Sequence, residues 1–153
     1  MLRINVIAVG RLKERFFEDA VGEYAKRLSA YCAFSVTEVP PAPAAKSPSE
    51  QSSQETEALL SKAKGCVVAL DGRGKRLSSE ELARFIAERS AVGTSEFSFL
   101  IGGSHGLDAS ALSRADERIS FGAMTFPHQL FRVMLTEQLY RALTICAGTP
   151  YHK

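Results

Sequence analysis

The stretch ISFGAMTFPHQL, residues 119–130, passes from a β-like run into a long amphipathic helix, and its reading decides the fold. Gly122, Ala123 and Thr125 are small, Pro127 has no N–H to donate, and His128 opens a helical pattern that continues to Ala147. A loop of little side chains at a strand's end leaves its main chain bare. Bare N–H and C=O groups seek partners, so such a loop is a candidate grip on a ligand.

Upstream, the same strand-then-glycine pattern recurs. LRINVIAVG reads as a buried first strand, AFSVTEV as a second, CVVALD as a third and FSFLIG as a fourth, with ERISFG as the last. Helical spacing fills the intervals: Phe17, Ala20, Val21, Tyr24 and Leu28 in one run, then ETEALLSKAK, SSEELARFIAERSA and the short DASALSRA. Ser78 with Glu81 three residues on makes a capping box, and Gly148 suits the position after the last helix's C-cap. Residues 40–54, PPAPAAKSPSEQSSQ, carry four of the six prolines and no bulky apolar residue, which predicts a flexible surface loop. Alternation of strand and helix, with strands lacking a polar face, predicts an α/β fold: a mostly parallel sheet with helices on both faces. Ligands of such sheets bind beyond the carboxyl ends of the strands. Three glycine-bearing loops occupy that position: DGRGKRL after Leu70, GGSHGLD after Ile101 and GAMTFP after Phe121.

Composition sets bounds. With 153 residues the chain is the size of one domain, and 19 basic against 17 acidic residues give a formal net charge of only +2. An RNA partner must therefore be met by local patches, for which Arg11, Lys13 and Arg15, then Arg73, Lys75 and Arg76, and the C-terminal tail are candidates. Cys32, Cys66 and Cys146 are far apart, which predicts buried free thiols and no zinc site. The apolar run at the N-terminus is too short for a signal segment or a membrane span, which predicts a cytoplasmic protein.

Phosphate is the first ligand that glycine-rich turns bring to mind. However, GRGKRL lacks P-loop spacing and GGSHG lacks the dinucleotide fingerprint. An apolar rim of Leu70, Ile101, Met124 and Phe126 around bare main chain suits an adenine edge and a thioether better.

Together VVALDGRGKRLSSEELA, FSFLIGGSHGL and ISFGAMTFPHQLFRVMLTEQLYRALTICAGTPYHK resemble the bacterial large-subunit ribosomal RNA methyltransferase H family, within the SPOUT superfamily. The likeness covers nearly the whole chain and is weakest over residues 40–60. It is most specific where TFPHQL, EQLYRA and PYHK follow in order. It implies a single methyltransferase domain over residues 1–153 with a C-terminal trefoil knot, a topology periodicity cannot reveal. It also implies S-adenosylmethionine as cofactor, held by Leu70, Gly102 and the main chain of Phe121, Gly122, Ala123, Met124, Thr125 and Phe126, with no metal. The implied reaction is methylation of N3 of a pseudouridine in 23S ribosomal RNA, preferentially on the assembled 70S ribosome. Tyr151, His152 and Lys153 are the implied catalytic residues, with Arg141 reaching over from a second copy. His105 departs from the acidic residue or Asn that relatives often carry. The resemblance also implies a homodimer packed through its C-terminal helices. On the residues alone, Leu130, Phe131, Met134, Leu135, Leu139, Ala142, Leu143 and Cys146 make an apolar face too broad for one sheet, with burial within one protomer as the alternative. Two other functional readings stay open: a non-catalytic RNA- or ribosome-binding module, and a phosphate-binding α/β enzyme.

Overall fold

Period-two alternation builds the sheet. In the computed structural model, which describes residues 1–153, Ile4, Val6 and Ala8 of β1 (Arg3–Val9) pack into one hydrophobic layer, and Ile7 and Val9 into the other. The same division splits β3 (Cys66–Arg76), where Cys66, Val68 and Leu70 face the first layer and Val67 and Ala69 the second. With β2 (Ala33–Val39), β4 (Glu96–Ile101) and β5 (Glu117–Ser120) they form one five-stranded sheet in the order β2-β1-β4-β3-β5, every pairing parallel. A parallel sheet must be covered on both faces. Here α1 (Arg15–Leu28), α3 (Ser79–Ala91) and α5 (His128–Ala147) cover one face, with α5 packed against both α1 and α3. The other face is covered by α2 (Pro48–Lys62) and α4 (Ala109–Arg114). The sheet order and the return of the chain after β5 to lie between α1 and α3 agree with the trefoil topology that the resemblance implies.

Helix ends follow local chemistry. Ser78 and Glu81 form the reciprocal capping box of α3, and Gly148 closes α5 at φ +72°. The expected loop over residues 40–54 needs correction: its second half is helix. Ser47 caps the Glu50 N–H, the Glu50 carboxylate returns to the Ser47 N–H, and Pro48 occupies the first turn, where its missing N–H costs nothing. α2 thus begins seven residues before the apolar run that signalled it.

Two further corrections concern burial. Cys32 and Cys66 are buried free thiols, and burial pushes the Cys32 thiol up to about 11, but Cys146 is exposed. The inward face of α5 is also less purely apolar than its sequence implies. Leu135, Leu139, Ala142 and Leu143 are buried, but so are Thr136, Thr144 and Arg132, whose guanidinium pairs with Glu38 at 2.5 Å and donates to the Gly10 carbonyl at 3.0 Å. Leu130, Phe131 and Met134 remain partly exposed. No helix is long and apolar enough to cross a membrane.

Candidate functional site

Because β4, β3 and β5 are neighbours, the loops that follow them meet at one edge. They enclose a cleft of about 730 Å³. Leu70, Ile101, Ile119, Phe121, Phe126 and Phe131 supply its apolar wall, and the Phe121 and Phe131 rings stand 4.6 Å apart. The rest is largely small residues and main chain. Of the eight residues expected to bind a cofactor, Leu70, Gly102, Phe121, Gly122, Met124, Thr125 and Phe126 line this cleft; Ala123 is exposed and does not.

Two glycines are required by geometry. A Cβ on Gly102 would sit 2.6 Å from the Gly106 carbonyl carbon and 2.9 Å from the Leu107 nitrogen, so only a bare Cα lets the loop fold back here. Gly122 holds φ +115°, a conformation L side chains rarely adopt, and Ser120 Oγ brackets it by contacting both its N–H and its carbonyl at 3.1 Å. Sequence reasoning treats DGRGKRL as a loop, but β3 continues through Arg76 and pairs with β5 in two registers, broken between Leu70 and Lys75. Gly74 permits that pairing, since a Cβ there would meet the Arg118 backbone at 2.6 Å.

The cleft's charge is informative. Asp71 is its one carboxylate, and no Lys or Arg lines it. A polyphosphate would lack a counter-charge there, whereas a cationic ligand would meet no like charge on the wall, Asp71 itself being paired with Arg73. His128 opens α5 and contributes to the wall; His105 lies exposed in the loop after β4. No three His, Cys, Asp or Glu side chains gather as a metal site.

Three of the four residues expected to act in catalysis, Arg141, Tyr151 and His152, converge, but not on this cleft. Tyr151 Oη donates to Glu137 Oε2 at 2.7 Å, and Arg141 Nη2 meets the same oxygen at 2.7 Å. The Arg141 guanidinium lies over the Tyr151 ring at 4.8 Å, and Tyr151 packs edge-on to Tyr140. The tail is therefore tied down rather than frayed. Burial, reinforced by the hydrogen bond to Glu137, pushes the Tyr151 phenol up to about 12, so it stays a neutral donor at any physiological pH. His152 is held from both sides: its Nδ1 lies 3.1 Å from Arg141 Nη1, and its Nε2 lies 2.6 Å from Glu80 Oε1. Arginine can only donate, so Nδ1 is the acceptor, and the proton of the neutral ring sits on Nε2 facing Glu80. That contact holds the Glu80 carboxyl below its usual range. Lys153 is exposed and has no ion partner.

Glu137 also lines a second hollow of about 610 Å³ beside the cleft, whose wall shares Ile119, Ser120, Phe121 and Gly122 with it. The strand end 119–122 thus separates the expected cofactor cleft from the hollow that the tail residues flank. The expected basic patches differ in kind. Arg73 pairs with Asp71 and Lys75 with Glu117, while Arg11, Lys13 and Arg15 are exposed with no ion partner. Two features escaped sequence reasoning. Arg132 looks like a surface residue among apolar neighbours, and α2 carries a buried polar stripe of Ser52, Glu55 and Thr56 where an apolar one is the usual signal.

Comparison with known proteins places this geometry. A family model described as "Predicted SPOUT methyltransferase" matches residues 2–152. Proteins of Carboxydothermus hydrogenoformans and Limosilactobacillus reuteri, both named ribosomal RNA large subunit methyltransferase H, are each 48% identical over 159 residues, covering 99% of this chain and 100% of theirs. Among solved structures, a tRNA methyltransferase of Aquifex aeolicus superposes with a TM-score of 0.54 at 15% identity, covering 99% of this chain and 74% of that one. A Legionella pneumophila protein solved with bound SAM gives 0.51 at 11% identity, covering 95% and 66%. At those identities the structures speak for the fold, whereas the full-length relatives speak for more. The chain belongs to the SPOUT methyltransferases, and within them to the ribosomal RNA large subunit methyltransferase H family.

Proposed function

We propose that the protein, as a cytoplasmic homodimer, transfers a methyl group from S-adenosylmethionine to N3 of a pseudouridine in large-subunit ribosomal RNA, on the assembled ribosome. The observation that carries this reading is the cleft itself: apolar walls, bare main chain at three strand tips, one carboxylate and no cation. An adenine edge is read by main-chain donors and acceptors, a thioether by apolar walls, and a sulfonium charge by the absence of Lys and Arg. The crowded Gly102 keeps the cradle's floor free of side chains, which is the fit such a ligand needs.

When bound, the donor supplies a methyl carbon already activated by the positive sulfur. What remains for the protein is placement and one proton. Placement is worth up to about 7–11 kcal/mol when the nucleophile is held in line. The N3 proton of the target ring must leave, and the negative charge it leaves behind must be steadied. His152 Nδ1 is the basic lone pair in the tail cluster, released when Arg141 turns away from it. Arg141 and Lys153 then steady the imide charge or a flanking phosphate. The neutral Tyr151 phenol stays a donor and a stacking surface, a contact worth about 1–3 kcal/mol for an unpaired base. Unpaired cations at Arg11, Lys13 and Arg15 meet the RNA backbone, with a smaller share from Arg73, Lys75 and Arg76.

Methyl transfer from labelled S-adenosylmethionine to ribosomes of a strain lacking this modification tests the reading, with nuclease mapping of the product. Label at N3 of one large-subunit pseudouridine is expected. Donor binding without transfer to any ribosomal RNA would leave only a binding module.

A further inference from the structure

Next to the main-chain cleft lies a larger one of about 1160 Å³, between the loop after β1 and the start of α5. The two share Gly103, Ser104 and His128. Glu55 belongs to the wall of the larger cleft and is only 5% exposed. Its Oε2 accepts the Ala42 N–H at 2.9 Å, while its Oε1 is buried with no hydrogen-bond partner. That free oxygen lies against the junction: a Cβ on Gly103 would stand 2.6 Å from it.

A buried acceptor left unpaired is costly, so such atoms in native proteins call for an explanation. Neighbouring side chains do not provide it. The terminal nitrogens of Arg132, a buried cation at the start of α5, are committed to Glu38 and the Gly10 carbonyl, and its Nε is itself buried without a partner. Arg11 and Lys13 line the same cleft without an ion partner, and the Lys13 N–H is pinned to Gln129 Oε1 at 3.0 Å, which fixes their loop against α5. The adjoining space therefore offers a buried carboxylate oxygen without a partner, while the other charged residues of its wall are Glu18, the Arg132-paired Glu38, Arg11 and Lys13. A buried carboxylate oxygen without a partner is complementary to an ammonium.

We infer that Glu55 receives the α-ammonium of the methyl donor's amino-acid end. This rests on the reading of the first cleft as the adenosine site, and it adds a residue on α2 to a site otherwise built from loops after β3, β4 and β5. It also gives the polar stripe of α2 a purpose. Ser52 Oγ donates to the Gly106 carbonyl at 3.0 Å and Thr56 Oγ1 accepts the Asp108 N–H at 3.1 Å, so two of the three polar residues hold the loop that Glu55 reads across.

Calorimetry with two thioethers separates the amino-acid end from the rest of the ligand. S-adenosylhomocysteine carries that end; 5′-methylthioadenosine lacks it, and neither has the sulfonium charge. Glu55→Gln keeps the shape and the acceptor for Ala42 while removing the charge. It should weaken S-adenosylhomocysteine about ten- to a hundredfold and leave methylthioadenosine unchanged. Equal weakening of both ligands would make Glu55 a support of the loop only and overturn the inference, as would no change in either. Should the variant fail to fold, wild-type protein and the analogue of S-adenosylhomocysteine lacking only its amino group give the same test. Weakening of similar size is then expected, and undiminished affinity would refute the ammonium contact. Wild-type protein that binds neither thioether would instead overturn the reading of the first cleft.

Discussion

The sequence treats Gly102 and Gly72 alike, as glycines of turns at strand tips, although Gly72 lies within β3. The structure does not. A Cβ at Gly102 runs into the backbone of Gly106 and Leu107, whereas one at Gly72 meets nothing within 4 Å. Gly102→Ala should therefore displace the loop after β4, lower donor affinity at least about tenfold and lower the thermal midpoint, as backbone clashes in packed sites do. Gly72→Ala should change neither by much, and calorimetry with differential scanning of both variants checks the contrast. At the tail, Tyr151 provides a second test. Its phenol has a folded pKa raised to about 12 from the ordinary value near 10. The unfolded chain loses this proton first as pH rises, so the associated stability is complete below about pH 10 and is lost progressively between about 10 and 12. Phenolate absorbance should show one of the four tyrosines ionising late, and Glu137→Gln should bring it back toward 10. The sequence marks Tyr151 as a residue worth watching, but it cannot show that a carboxylate fourteen positions upstream holds it.

At the scale of elements, hydrophobic periodicity carried nearly all the information, and its failure is equally instructive. Strands β1, β2, β4 and β5 and helices α1, α3, α4 and α5 fall where alternation and capping place them, because each buries a recognisable apolar stripe, whereas β3 runs on past its apolar core to Arg76. The front half of α2 was illegible for the opposite reason. Its inward face there is Ser52, Glu55 and Thr56, buried polar groups of which Ser52 and Thr56 bond to a loop far away in sequence, and a pattern of that kind resembles a solvated linker. The start of α2 was nonetheless written in Ser47, Pro48 and Glu50, a capping box with proline in the first turn, masked by the prolines before it. Ser47→Ala removes the side-chain acceptor for the Glu50 N–H and should cost about 1 kcal/mol, close to the cost of the matching change at Ser78. Urea unfolding of both variants measures this. If Ser47→Ala proved silent while Ser78→Ala did not, α2 would contribute little to the cooperative fold.

In the whole molecule, most of the expected cofactor residues line one hollow, while Tyr151 and Arg141 are tied to Glu137 on the wall of another, and the strand end 119–122 borders both. The sequence could name both groups through resemblance but could not show this separation, which depends on where α5 lies relative to the loops. Tyr151 and Arg141 are anchored on Glu137, and His152 on Glu80, so carrying them into their own protomer's cleft means breaking four polar contacts. A second copy related by a two-fold axis through α5 would present an already ordered tail instead, and the half-exposed Leu130, Phe131 and Met134 are available to that contact. Subunit mixing distinguishes the two arrangements. One variant lacks Tyr151 to Lys153 but keeps its cofactor cleft; the other carries Gly102→Val, which ruins the cleft but leaves the tail. Each alone should be inactive. If the tail serves the partner's cleft, a random equal mixture holds about half heterodimers, each with one complete site, so about a quarter of wild-type methyl transfer should return. If the tail serves its own cleft, no subunit in any pairing holds both parts, and the mixture should stay inactive even though light scattering shows dimers.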